Sequence, residues 1–139
     1  MTKFCFLLLI IFSSQVLGLE KPTAPETITG VEIVSAEQAV AMILSTPQLV
    51  ILDTRKKEEY EKGHIEKARS MPDVDMQSDS FSSQFPDKNI PILLYCNGIN
   101  CLRSSNAAKK CLQWGYSRLY WFRGGWQEWM NKALPVSYR

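Results

Sequence analysis

The sequence holds a single histidine, His64, and only four cysteines. One imidazole beside this cysteine spacing makes no convincing zinc set, so no metal is expected. There is no glycine-rich nucleotide loop and no internal repeat, which sets aside phosphate-cradling and solenoid architectures. Charge of one sign is also missing: 16 Lys and Arg stand against 14 Asp and Glu, a formal net charge of +2. So mixed a pattern carries no footprint for nucleic acid or a membrane surface. What is present in quantity is apolar and aromatic side chains, 45% and 11% of the 139 residues. That is enough to bury one core, and the length suits one domain of roughly 100 to 150 residues with a short extension.

The first 18 residues carry one positive charge at Lys3, an apolar run from Phe4 to Phe12, then Ser13, Ser14, Gln15 and finally Gly18. This is the layout of a cleaved secretory signal, and the run is too short for the about 20 apolar residues of a membrane span. The expectation is an exported, periplasmic protein with no stable span after cleavage. Cys5 would leave with the signal, so Cys96, Cys101 and Cys111 remain. An odd number of thiols in an oxidising compartment leaves at least one free, modified or paired with another molecule.

Residues 19–30 carry Pro22 and Pro25 without an apolar period and read as an extended tether. The folded domain is expected over 31–139. Ser35 and Gln38 form a capping-box pattern ahead of Ala39, Val40, Ile43 and Leu44 at helical spacing. Leu49 to Asp53 and Pro91 to Tyr95 are continuously apolar runs of strand length, the form of strands covered on both faces. Between them lie a charged helical turn over Lys56 to Lys62, a short extended piece over Ala68 to Met71, and a polar stretch with Phe81 and Phe85 at helical spacing. Arg103 to Trp114 has helix-forming composition and stops at Gly115; Ser117 to Phe122 reads as a last strand and Trp126 to Lys132 as a closing helix. The pattern predicts an α/β fold with a central, mainly parallel sheet and helices on both faces. Ligands of such sheets bind outside the carboxyl ends of the strands, where both Cys96 and Asp53 fall.

A cysteine at a strand end, followed by a glycine-containing loop and then a helix, is placed to be acidic. The N–H groups of Asn97, Gly98, Ile99, Asn100 and Leu102, the helix N-terminus and the charge of Arg103 all favour a thiolate. That thiolate can attack a sulfane sulfur, and the same donors, with Ser104, can hold the resulting persulfide anion. Cys101 lies close enough in sequence to bond Cys96 if the loop folds back, with side-chain direction deciding. Whether Cys96 or Cys101 is the nucleophile stays open, since Cys101 is nearer Arg103. Cys111, on the helix, reads as half-buried and inert.

Leu52-Asp53-Thr54-Arg55, Glu59-Tyr60 and Gly63-His64-Ile65, followed by Ala68 and Pro72, resemble the front motifs of rhodanese domains. Arg103-Ser104, Ala107-Ala108, Gly115-Tyr116, Arg123-Gly124-Gly125, Trp129 and Leu134-Pro135-Val136 resemble the back half, so the likeness runs from about Ile33 to Val136. It implies a sulfurtransferase-type α/β domain with a persulfide on Cys96 and no metal or organic cofactor. Its partners would be a small sulfur donor and a thiol acceptor, exported thiol proteins among them. The sequence departs from the family within the loop. The usual sulfurtransferase pattern leaves four residues between cysteine and arginine, and related phosphatases leave five; here Asn97 to Leu102 makes six and includes Cys101. Added residues change the radius of an anion cradle, and errors near 1 Å cost about 100-fold in rate. Two other readings follow: a thiol–disulfide protein that transfers no sulfur, and a binding module that keeps the fold without turnover. Among supporting residues, Asp53 and Arg55 read as an ion pair fixing a turn, and His64 as a hydrogen-bonded structural residue rather than a base.

Overall fold

The computed structural model describes residues 18–138. The expected signal segment, apart from Gly18, lies outside the described residues. Five strands form one sheet: β1 (Val31–Ile33), β2 (Val50–Asp53), β4 (Arg69–Ser70), β5 (Ile92–Tyr95) and β6 (Leu119–Phe122), in the order β1-β6-β5-β2-β4 with every pairing parallel. Two short strands, β3 (His64–Ile65) and β7 (Val136–Ser137), pair antiparallel apart from it. The helices are α1 (Ala36–Ser45), α2 (Lys57–Glu61), α3 (Ser78–Gln84), α4 (Arg103–Gln113) and α5 (Gly125–Asn131), with a 3-10 turn at Asp73–Asp75.

The central strands are buried on both faces, as their unbroken apolar runs require, and alternate residues serve different cores. Leu52, Ile92, Leu94, Leu119 and Trp121 meet Phe81 of α3 and Ala107, Ala108 and Cys111 of α4. Ile51, Leu93, Tyr95 and Phe122 meet Ala36 and Ala39 of α1, Tyr60 of α2 and Trp129 of α5. The expected mainly parallel sheet with helices on both faces is the observed one. The capping box at Ser35 also forms, with the Ser35 hydroxyl accepting from Gln38 N–H and the Gln38 side chain accepting from Ser35 N–H.

Four segments differ from the sequence reading. β1 and β7 carry no alternation signal long enough to find, being three and two residues long. His64–Ile65, given no strand by the sequence reading, is one because β7 returns beside it. The segment 19–30 is extended, but it is docked: Ala24 and Ile28 join the α3–α4 core, and Arg123 donates to the carbonyls of Ala24 and Pro25. The packed unit therefore reaches back to Ala24. Two buried side chains and two borrowed carbonyls are invisible to a reading that looks for periodicity.

Candidate active site

The chain leaves β5 at Cys96 with its carbonyls pinned one after another. Tyr95 O accepts from Thr54 N–H at 3.0 Å and from the Thr54 hydroxyl at 2.9 Å. Cys96 O accepts from Trp126 N–H at 2.7 Å, and Asn97 O from Gln127 N–H at 2.9 Å. Gly125 makes this approach possible: it has φ +58°, and a Cβ there would stand 2.3 Å from Cys96 O. The need for glycine at 125 comes from a strand end 29 positions away, which no local signal reports.

Beyond Asn97 the loop turns over, with Cys101 N–H donating to Gly98 O at 3.0 Å and Ala24 N–H to Ile99 O at 2.7 Å. The turn brings Cys101 back onto Cys96, and the two form a disulfide with Cα atoms 6.4 Å apart. Cys96 is 1% exposed, whereas Cys101 is half-buried and lines a cleft of about 800 Å³. Asn97, Gly98, Asn100, Leu102 and Arg103 share that cleft; Ile99 is exposed on the loop. The loop then enters α4, whose first-turn amides have no intrahelical partner and favour negative charge nearby.

Not every expected residue faces the sulfur. Arg103 lies 3.6 Å from Asp73 Oδ1 in an ion pair, and the buried Oδ1 makes no hydrogen bond. Part of the cationic charge assigned to the loop is thus met by a carboxylate that sequence reading did not single out. Lys110 Nζ secures that carboxylate's backbone, donating to Asp73 O at 2.6 Å and Met76 O at 3.2 Å. Ser104 is buried, and its hydroxyl oxygen accepts from Trp121 Nε1 at 2.9 Å, tying α4 to β6. The Asn97 amide donates to Glu59 Oε1 at 2.9 Å, joining the loop to α2.

Asp53 and Arg55 form a buried network beneath the loop. Arg55 Nε reaches Asp53 Oδ1 at 2.9 Å and Arg55 Nη2 reaches Oδ2 at 2.6 Å; Tyr95 OH donates to the same Oδ2 at 2.6 Å. Arg55 also donates to Gly63 O at 2.7 Å and stacks under Trp126, 4.3 Å from the ring centre. Burial, with the Asp53 carboxylate alongside, pushes the Tyr95 hydroxyl far above the usual phenol range. His64 stacks on Tyr60 at 3.8 Å, its Nδ1 2.9 Å from Tyr60 O. These partners are those of structural residues. Cys111 packs in the apolar core, and burial pushes its thiol up to about 12. Among the described residues no cluster of His, Cys, Asp or Glu could hold a metal ion, and no helix is long and apolar enough to cross a membrane.

A parallel sheet of this order, with a cysteine loop at the carboxyl end of its central strand, defines a rhodanese-type domain. Residues 35–132 match the family model of the rhodanese-like domain, and the chain belongs to that family. A tRNA uridine(34) hydroxylase of Photorhabdus laumondii is 34% identical over 135 residues, covering 87% of this chain and 35% of the relative. The chain thus spans about a third of the length of these hydroxylase relatives. Among solved structures, the Alr3790 protein from Anabaena sp. superimposes with a TM-score of 0.67 at 26% identity, covering 76% of this chain and 82% of that one. A thiosulfate sulfurtransferase from Pseudomonas aeruginosa shares the fold, with a TM-score of 0.66 at 22% identity over 78% of this chain and 20% of that one.

Proposed function

We propose that this chain is an exported sulfur-handling protein in which Cys96 takes up a sulfane sulfur as a persulfide and Cys101 discharges it. The observation that carries the reading is the Cys96–Cys101 bond at the carboxyl end of β5. The loop accommodates a second sulfur atom on Cys96 Sγ, and it delivers the thiol able to displace one. Reduced Cys96 attacks the donor's sulfane sulfur; the donor remnant departs as an anion and Cys96–S–S⁻ remains. A thiol acceptor can then take the outer sulfur and leave the Cys96 thiolate. Alternatively the Cys101 thiol attacks Cys96 Sγ as it gives up its proton, forming the disulfide while the outer sulfur leaves with that proton as HS⁻. In that branch two thiols are oxidised by two electrons and one sulfane sulfur is reduced to sulfide.

Intact-mass measurement of the reduced protein after thiosulfate and, separately, polysulfide tests the reading. The expected result is a gain of one sulfur that is lost in Cys96→Ser and outlives the wild-type adduct in Cys101→Ser. No gain with either donor overturns it. The same disulfide favours a second reading, thiol–disulfide exchange without sulfur transfer. A reversible Cys96–Cys101 couple in a redox titration, together with no sulfur gain, would select that one. Export rests on the sequence of residues 1–18, and the N-terminus of the protein recovered from cells tests it. The hydroxylation in the relatives' name is not carried over, since the shared part is a third of their length.

A further inference from the structure

The two sulfurs of the disulfide face different surroundings. Cys96 closes the end of a buried strand and is 1% exposed, with its carbonyl covered by α5. Cys101 is half-buried and lines the cleft, beside Asn97, Arg103 and Asn106. Thiolate attack on a disulfide runs along the S–S axis, with the sulfur beyond the one attacked as leaving group, so access to each end decides which is hit. Cys96 is buried and is not among the residues lining the cleft, whereas Cys101 lines it and offers an incoming thiolate the accessible sulfur.

We infer that the oxidised loop is reopened at Cys101: an incoming thiolate bonds Cys101 Sγ and Cys96 leaves as the thiolate. The Cys96–Cys101 bond breaks as the new mixed disulfide forms. A second thiolate then displaces Cys101, so two external thiols are oxidised to a disulfide and both loop cysteines are reduced. The order regenerates Cys96 first, in the buried position where sulfur uptake is proposed. Cys101 is thus both the thiol that closes the loop and the sulfur through which it is opened. The inference rests on the disulfide-forming branch of the reading above. The thiol comes either from a small molecule or from a protein, and glutathione and reduced thioredoxin probe the two sources.

The test starts from the full-length mature protein with the disulfide formed. It is exposed to reduced glutathione, quenched with acid at successive times, and digested at low pH so that thiols cannot exchange. Tandem mass spectrometry locates the adduct. Glutathione should sit on Cys101 in at least about tenfold excess over Cys96 at the earliest times. In Cys96→Ser, air-oxidised with glutathione disulfide, the Cys101 adduct has no internal thiol to displace it and should accumulate. Adduct chiefly on Cys96, or a disulfide that resists both glutathione and thioredoxin, overturns the assignment. Faster reduction by one of the two reductants identifies the source. Cys101-borne glutathione without any sulfur uptake would leave this inference standing and remove persulfide transfer; sulfur uptake with glutathione on Cys96 would do the reverse.

Discussion

Trp126 donates its backbone N–H to the carbonyl of Cys96 at 2.7 Å, so the strand end carrying the cysteine is held by the helix that begins at Gly125. The contact joins two motifs 30 positions apart and fixes the direction in which the loop departs. Its consequences, and those of the network beneath it, can be measured.

Gly125→Ala places a methyl group 2.3 Å from Cys96 O, at a residue with φ +58°. Gly115 has a similar backbone, φ +88°, but nothing within 4 Å of the added carbon. Urea unfolding should show Gly115→Ala costing about 1 kcal/mol, the strain alone, and Gly125→Ala costing more, about 2–4 kcal/mol. Equal losses would mean that the approach of α5 to Cys96 is not tight.

Asp53→Ala leaves the buried Arg55 guanidinium without its carboxylate and removes the acceptor of Tyr95 OH. Breaking one side of a buried ion pair costs about 3–5 kcal/mol, so the variant should be strongly destabilised in chemical denaturation. A loss under 1 kcal/mol would contradict the structural role given to the pair.

Alkaline pH should destabilise the fold through Tyr95 and Cys111. Both have pKa values raised in the folded state, so their contributions are intact below the ordinary values and are lost as pH rises above them. For Cys111 the window runs from the ordinary 9.0 to about 12, and the loss by its upper end is about 4 kcal/mol. Stability measured from pH 8 to 11 should fall in wild type and fall less steeply in Cys111→Ala. In the native protein at neutral pH, Cys111 should also resist alkylation while reduced Cys101 reacts.

Arg123→Ala removes the donor to Ala24 O and Pro25 O, which are 2.9 and 2.8 Å away. The segment over 19–30 would then be held mainly by Ala24, Ile28 and the Ala24–Ile99 bond. Cleavage after Glu26 by a glutamate-specific protease under native conditions should accelerate about tenfold or more, given a loss of about 1–2 kcal/mol from two hydrogen bonds to a charged group. Unchanged cleavage would show the segment to be anchored by its apolar contacts.

The sequence by itself determined the layers of this protein. Leu49 to Asp53 and Pro91 to Tyr95 are apolar throughout because both their faces are covered, and the interleaved helical segments leave no room for hairpins. It also placed Cys96 at a strand end and Cys101 within reach, since both depend only on positions along the chain. The tertiary structure decided what those positions mean. Arg103 is drawn to Asp73, Ser104 to Trp121 and Tyr95 to the Asp53–Arg55 pair already read from the sequence, while 19–30 lies against the core instead of trailing from it. Each of these is a choice of partner across 17 to 99 positions of chain. Local periodicity records which side of an element is apolar; side-chain direction and the packing of distant segments settle which polar groups meet.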